Sequence, residues 1–320
     1  MSEFEKRLKM ARESSWHHFG KKIIFYLPGM FVLNGVNGKY PATSITGKDC
    51  ALKCDHCQGK ILDSMLQATT PEKLVAQCLE LAATGNHGVL ISGGCDLSGR
   101  LPWDRFIPAI EEIKRRTDLF ISIHSGLINE HEAFDLKQAG VDQALIDVVG
   151  DDDTFRKMYH VPFGVKCIHD AMVALQEAGL SMIPHIVCGL NYGHIKGEKQ
   201  AVEMIAGFKV EQLVVVSLMA IPGTPVWGTP SPTPEAVADV IAEARTKMPA
   251  TPISLGCARQ RGNHHLETLA IDAGVNCMAL PSDEAVAQAK SYDLEIHYQK
   301  TCCSVTRDIS EPGWWLTSPL

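Results

Sequence analysis

Eight short runs of β-forming residues, each followed by a stretch with the marks of an amphipathic helix, constrain this 320-residue chain more than any other feature. The runs are Ala42 to Thr46, Gly88 to Ile91, Leu119 to Ile123 and Gln143 to Val148, then Met182 to Val187, Leu213 to Leu218, Ile253 to Leu255 and Val275 to Ala279. The helical stretches carry start and stop signals. In TTPEKLVAQCLELAATG, Thr70 caps, Pro71 takes the first helical position and Gly85 ends the run. Thr233 and Pro234 open another, in which Val237, Val240, Ile241 and Ala244 make one apolar face. Such alternation demands a parallel sheet. Eight units over residues 41–281 fit an α/β fold of the (β/α)8 TIM-barrel type. The competing architecture is a doubly wound open sheet. It usually carries a Gly-rich turn after its first strand, and here that turn carries cysteines. Residues 1–40 read as an N-terminal extension and 282–320 as a C-terminal helix and closing tail, both covering the barrel's ends.

Charge and hydropathy remove several classes of function. The formal net charge is -7, which supplies no general attraction to nucleic acid or acidic lipid. The N-terminus is polar and charged, unlike a secretion signal. The best apolar run, IIFYLPGMFVL, is short and broken by Pro28 and Gly29, so it does not span a bilayer. The expectation is a cytoplasmic protein without nucleic-acid or membrane partners. Eleven cysteines in such a chain point to metal or redox chemistry rather than disulfides.

Three of them, Cys50, Cys54 and Cys57, lie in ITGKDCALKCDHCQGKIL, just after the first predicted strand. In a barrel that is the face where chemistry sits. Structural zinc would want a second paired motif nearby, yet the next cysteines, Cys78 and Cys95, are solitary. A thioredoxin-like pair at Cys54 and Cys57 would leave Cys50 idle. Three thiolates suit a [4Fe-4S] cluster with one iron left open.

This C-x3-C-x2-C loop resembles that of the radical S-adenosylmethionine (SAM) enzymes. The resemblance implies that the open iron chelates SAM, and that a 5'-deoxyadenosyl radical then takes a hydrogen atom from substrate. It extends over residues 40 to 280. His56 stands at the position before the last cysteine, which is usually aromatic in the family. Ser92, Gly93 and Gly94 match the turn that meets the methionine amino group, with Cys95 in place of an acid. Asp147 matches the polar residue offered to the ribose. Ile186, in HIVCGLNYG, matches the run near the adenine, without its acid. The segment LMAIPGTP looks like a turn of biotin-synthase-like members. Within the superfamily the chain resembles the biotin and lipoyl synthase group, above all the two-component lipoyl synthases of archaea and anaerobic bacteria. The implied reaction is sulfur insertion into an aliphatic C–H, on a protein-bound octanoyl group. Alternatives are a radical methylase or a rearrangement enzyme, and, from another class, an iron–sulfur carrier without catalysis. Implied partners are ferredoxin or flavodoxin as electron donor, a second radical SAM subunit and a lipoyl-carrier protein.

The remaining cysteines divide. Cys78, Cys167 and Cys277 read as core or structural residues. Cys95, Cys188 and Cys257 end predicted strands, and Cys302 and Cys303 lie in the tail segment QKTCCSVT. These five are candidate ligands of a second, auxiliary iron–sulfur cluster, or else packing thiols near a substrate pocket. Arg259 and Arg261 are candidate partners of that cluster or of a substrate carboxylate. His124, Ser125 and His185 are expected at the same mouth, His185 pointing inward by strand alternation. Asp151 to Asp153 fit no calcium loop and are expected to start a helix. Trp314 and Trp315 are either a docking patch or a lid.

Overall fold

The computed structural model describes residues 1–33 and 35–309; the Trp314–Trp315 pair lies outside the described residues. Helix α1 (Glu3–Phe19) leads into β1 (Lys22–Tyr26) and a small antiparallel hairpin, β2 (Val32–Leu33) with β3 (Val36–Asn37). Then come β4 (Ala42–Ser44), β5 (Leu66–Gln67), α2 (Pro71–Ala83), β6 (Gly88–Ser92), α3 (Trp103–Arg116), β7 (Phe120–His124), α4 (Glu130–Gln138) and β8 (Gln143–Asp147). The second half holds α5 (Asp152–Tyr159), α6 (Lys166–Glu177), β9 (Ser181–Cys188), α7 (Glu198–Ala206), β10 (Leu213–Ser217) and α8 (Pro234–Lys247). It ends with β11 (Ile253–Leu255), α9 (His264–Asp272), β12 (Cys277–Ala279), α10 (Asp283–Ser291) and β13 (Glu295–Gln299).

The local signals are used as their chemistry dictates. Thr70 and Thr233 each accept a hydrogen bond from the backbone three residues on, with proline at the first turn. Asp151 caps α5, accepting from Thr154 N at 2.7 Å.

One parallel sheet of eleven strands runs β13-β1-β12-β11-β10-β9-β8-β7-β6-β4-β5. The eight expected strands, β4 and β6 to β12, are neighbours in chain order with no reversal, which excludes a doubly wound sheet. The sheet curls into a barrel. Its edges meet where Gly29 N donates to Tyr40 O (3.2 Å) and Lys39 N to Lys300 O (2.7 Å), rather than through a strand ladder. The closeness needs glycine: a Cβ on Gly29 would sit 2.3 Å from the Tyr40 carbonyl carbon. The termini differ from the expected covers. β1 and β13 extend the sheet, pairing parallel from Lys22↔Glu295 to Tyr26↔Gln299. Apolar residues at the start and end of the chain had a sheet edge to bury against.

Strand alternation separates two cores. Ile23, Phe25, Val89, Ile91, Met182, Ile186, Leu213 and Val215 pack outward under the helices. Tyr26, Leu90, Leu145, Ile183, Val187, Val214, Val216 and Ala279 point into the lumen. Beyond β13 the tail turns in beneath that lumen. Its backbone is gripped by buried side chains: Gln143 Nε2 donates to Ser304 O (3.1 Å), Gln212 Nε2 to Cys303 O (2.8 Å) and the Tyr26 hydroxyl to Val305 O (3.0 Å). Gln143 also accepts from Thr306 N at 3.3 Å.

Candidate active site

The loop from β4 to β5 carries Cys50, Cys54 and Cys57 to the rim of a cavity of about 220 Å3. Its backbone is bent tightly: Cys57 N and Gln58 N both donate to Cys54 O, and Lys53 and Gln58 take positive φ. The turn after β6 presses against it. Gly94 N donates to Thr46 Oγ1 (2.7 Å), Thr46 donates to Asp49 O (3.0 Å), and Ala51 N donates to Cys95 O (2.7 Å). A Cβ on Gly94 would lie 2.0 Å from Asp49 O and 2.5 Å from Cys50 Cβ, so only glycine lets turn and loop touch.

His56, Ser92, Gly93, Gly94 and Asp147 line this cavity with the three thiols. Ile186 does not. Its side chain is buried in the outer layer, on the other face of β9. Cys95 lines the cavity beside the loop. Aromatic rings form the far wall: His56 lies 5.4 Å from Tyr159, which packs on Phe155 at 4.9 Å. His124 borders the cavity, and its ring is 5.5 Å from that of His185 on the lumen side of β9. Ser125 is instead fully buried, donating to Leu145 O. His185 Nδ1 donates to Ile183 O (3.0 Å), and burial, with His124 adding to it, pushes its pKa down to about 4.

The loop's chemistry suits an iron–sulfur cluster. The Cys54 thiol donates to Cys57, and against the cost of burial that bond and His56 pull Cys57 down to about 4. The same bond, with burial, pushes Cys54 up. The pair thus favours charge on the Cys57 sulfur, and the thiolate is the form that binds iron. His56 Nδ1 is buried with no partner. Among the described residues no three metal-binding side chains surround one point at bonding geometry; the Cys54 and Cys57 thiols are hydrogen-bonded to each other.

A second group of thiols meets inside the barrel. Cys257, two residues past β11, lies within hydrogen-bonding reach of Cys303, and Cys303 within reach of Cys302. The tail supplies two of the three. Cys303 acts as donor and is pushed up, chiefly by its bonds to Cys257 and Cys302. Cys302 falls to about 6, first through Cys303 and then, against burial, through Ser304, whose hydroxyl lies 3.2 Å from its sulfur. Cys257 is lowered by its bond from Cys303, with the Arg261 and Arg259 charges adding to it against burial.

The other candidates separate from this group. Cys188 points outward into the helical layer, fully buried near Glu198, because it shares the strand face of Ile186. Arg259 is fully buried and consumed by structure: it donates to Glu267 (2.7 Å), Gly256 O (2.7 Å) and Ala279 O (2.8 Å). It is not available to a substrate carboxylate. Arg261 stays close, donating to Cys257 O (2.8 Å) and stacking over Phe31 at 5.2 Å. Cys78 is core, and Cys167 bonds to Gly164 O on the outer surface. Cys277 faces the lumen against Tyr26 and Gln212. No described helix is long and apolar enough to cross a membrane.

Sequence reasoning passed over Thr46, Asp55 and the glutamines that hold the tail. A buried acid between two cysteines was a visible signal for Asp55; nothing in the sequence marked Gln143 or Gln212.

Comparison with known proteins agrees with this geometry. A biotin synthase of Geobacillus kaustophilus is 25% identical over 259 residues, covering 77% of this chain and 75% of that one. One from Burkholderia thailandensis is 26% identical over 249 residues, covering 73% and 71%. Among solved structures, methylornithine synthase superposes with a TM-score of 0.63 at 18% identity, covering 98% of this chain and 85% of the other. A maturase of the [FeFe]-hydrogenase gives 0.66 at 16% identity, covering 93% and 69%. These two share the fold. The profile described as the Radical SAM superfamily matches residues 44–206, about half of the chain and both sides of the cavity. The chain belongs to the radical SAM superfamily, enzymes that work with a [4Fe-4S] cluster and SAM.

Proposed function

We propose that this enzyme inserts sulfur into an unactivated aliphatic C–H, and that Cys257, Cys302 and Cys303 hold an auxiliary iron–sulfur cluster. The observation that carries this reading is the convergence of those three thiols in the lumen, where Leu90 borders both their cluster and the cavity. Cys50, Cys54 and Cys57 would hold the catalytic cluster, which with SAM supplies a hydrogen-abstracting radical when bound. His56, Ser92, Gly93, Gly94 and Asp147 would position the cofactor along the cavity wall. The tail would bring sulfur-bearing metal beneath the substrate carbon, with Gln143, Gln212 and Tyr26 fixing its height. Outer-layer helices and the tail keep water from that space.

The likeness to biotin synthases supports sulfur chemistry. The substrate we propose is a protein-bound octanoyl group, whose plain chain suits a lumen walled by Leu90, Leu145, Val187 and Val216. The proposed partners are a ferredoxin or flavodoxin, a lipoyl-carrier protein and a second radical SAM subunit.

The test is iron and acid-labile sulfide per chain after anaerobic reconstitution, in the parent and in a Cys257/Cys302/Cys303 triple alanine variant. About eight irons falling to about four, with SAM cleavage kept and thiolated product lost, is expected for two cubane clusters. About four irons in both sinks the reading and favours a methylase or rearrangement enzyme.

A further inference from the structure

The metal loop contains one carboxylate that is spent on other parts of the molecule. Asp55 lies between Cys54 and Cys57 and is 9% exposed. Its backbone N donates to Met158 O at 2.9 Å. Its Oδ1 lies 2.7 Å from His160 Nε2, and its Oδ2 accepts from the Tyr192 hydroxyl at 2.6 Å. Both oxygens are taken, so Asp55 is not a spare metal ligand.

The partners come from far away in the fold. His160 ends α5, after β8; Tyr192 sits in the loop after β9. In the eight-strand circuit that begins at β4, those are the fourth and fifth strands, opposite the metal loop. Both partners adopt positive φ, 58° and 49°, a conformation rare outside glycine. A carboxylate withdrawn from water needs hydrogen-bonded partners. Here two loops adopt uncommon backbone to supply them.

We propose that His160, Asp55 and Tyr192 form a positioning latch. It fixes the backbone between Cys54 and Cys57 against the aromatic wall of α5, so that thiols and cavity keep one arrangement. It also keeps a negative charge beside the cluster, which disfavours the added electron. The inference rests on the metal-loop reading and not on sulfur insertion.

The test uses the full chain with Asp55→Asn, Tyr192→Phe and His160→Asn. In cluster-free protein, deuterium exchange across residues 47–64 should rise about tenfold in each variant, with β6 to β12 unchanged. After reconstitution, SAM cleavage should fall by about tenfold at full iron content. The midpoint potential should rise in Asp55→Asn and stay at the parent's value in Tyr192→Phe, which removes no charge. Unchanged exchange in both Asp55→Asn and Tyr192→Phe overturns the latch. If Asp55→Asn fails to fold, Tyr192→Phe decides alone: faster loop exchange supports the latch, and parent-like exchange rejects it.

Discussion

The two thiol groups make opposite use of the chain. At the mouth, Cys50, Cys54 and Cys57 share one loop, bent by its own hydrogen bonds and backed by the Gly93–Gly94 turn. In the lumen, Cys257 comes from a strand end, while Cys302 and Cys303 come from a tail held by side chains of β1, β8 and the approach to β10. The first site is local and needs the fold for its backing. The second exists only when the whole fold does. The local site therefore depends on the few contacts that back it, and the assembled one on every segment that brings a thiol.

The largest expected effect separates the two. Replacing Cys50, Cys54 and Cys57 by alanine should reduce SAM cleavage to background while lumen iron remains, read by iron content and product analysis. The comparison breaks if the mouth variant also empties the lumen.

Next comes the backing turn. Gly94→Ala places a methyl group where Asp49 O and Cys50 stand, costing about 1–3 kcal/mol and disrupting SAM cleavage. Gly93→Ala meets only Thr46 and Ile45 at 3.1 Å and beyond, and should be milder. Isothermal binding of SAM to reconstituted variants checks both.

The lumen site should yield to a change at a residue that is not one of its thiols. Gln212→Leu removes the donor to Cys303 O and leaves that carbonyl unpaired, a cost of about 1–3 kcal/mol. Lumen iron should fall while mouth iron holds, whereas Cys188→Ala should lose none.

The effect expected to touch catalysis least is one of acid stability. His185 has a pKa of about 4 in the fold, below its ordinary 6.5. The unfolded chain therefore binds the extra proton between those values. Stability is full above pH 6.5 and is lost as pH falls toward 4, by about 3 kcal/mol. Denaturant titrations of His185→Phe should show a flatter acid limb.

The same contrast explains what the sequence disclosed. The eight strands were legible because short β-forming runs alternate with helical stretches, two of which open on threonine and proline. The cysteine loop stood out because its three thiols are neighbours in the chain. β1 and β13 were not legible, since KIIFY runs on into LPGMFVL, and EIHYQ is an edge strand with polar positions. The lumen group was read only as part of a larger set, because strand ends alone do not say which thiols meet. Parity was the neglected signal: the alternation that turns His185 inward turns Cys188 outward. Nothing local announces that a tail will thread beneath a barrel.

The pairing of β1 with β13 has a consequence for the order of events at the ribosome. Translation delivers β13 long after β1, so the seam between them waits for every strand that lies between in the chain. Cysteines 50 to 57 emerge early and can recruit iron while synthesis continues. Cys257 emerges before Cys302 and Cys303, the thiols it meets in the fold. Such distant pairing is slow. On the proposed reading, metal would reach the lumen only once these distant segments have met, whereas it could reach the mouth before then.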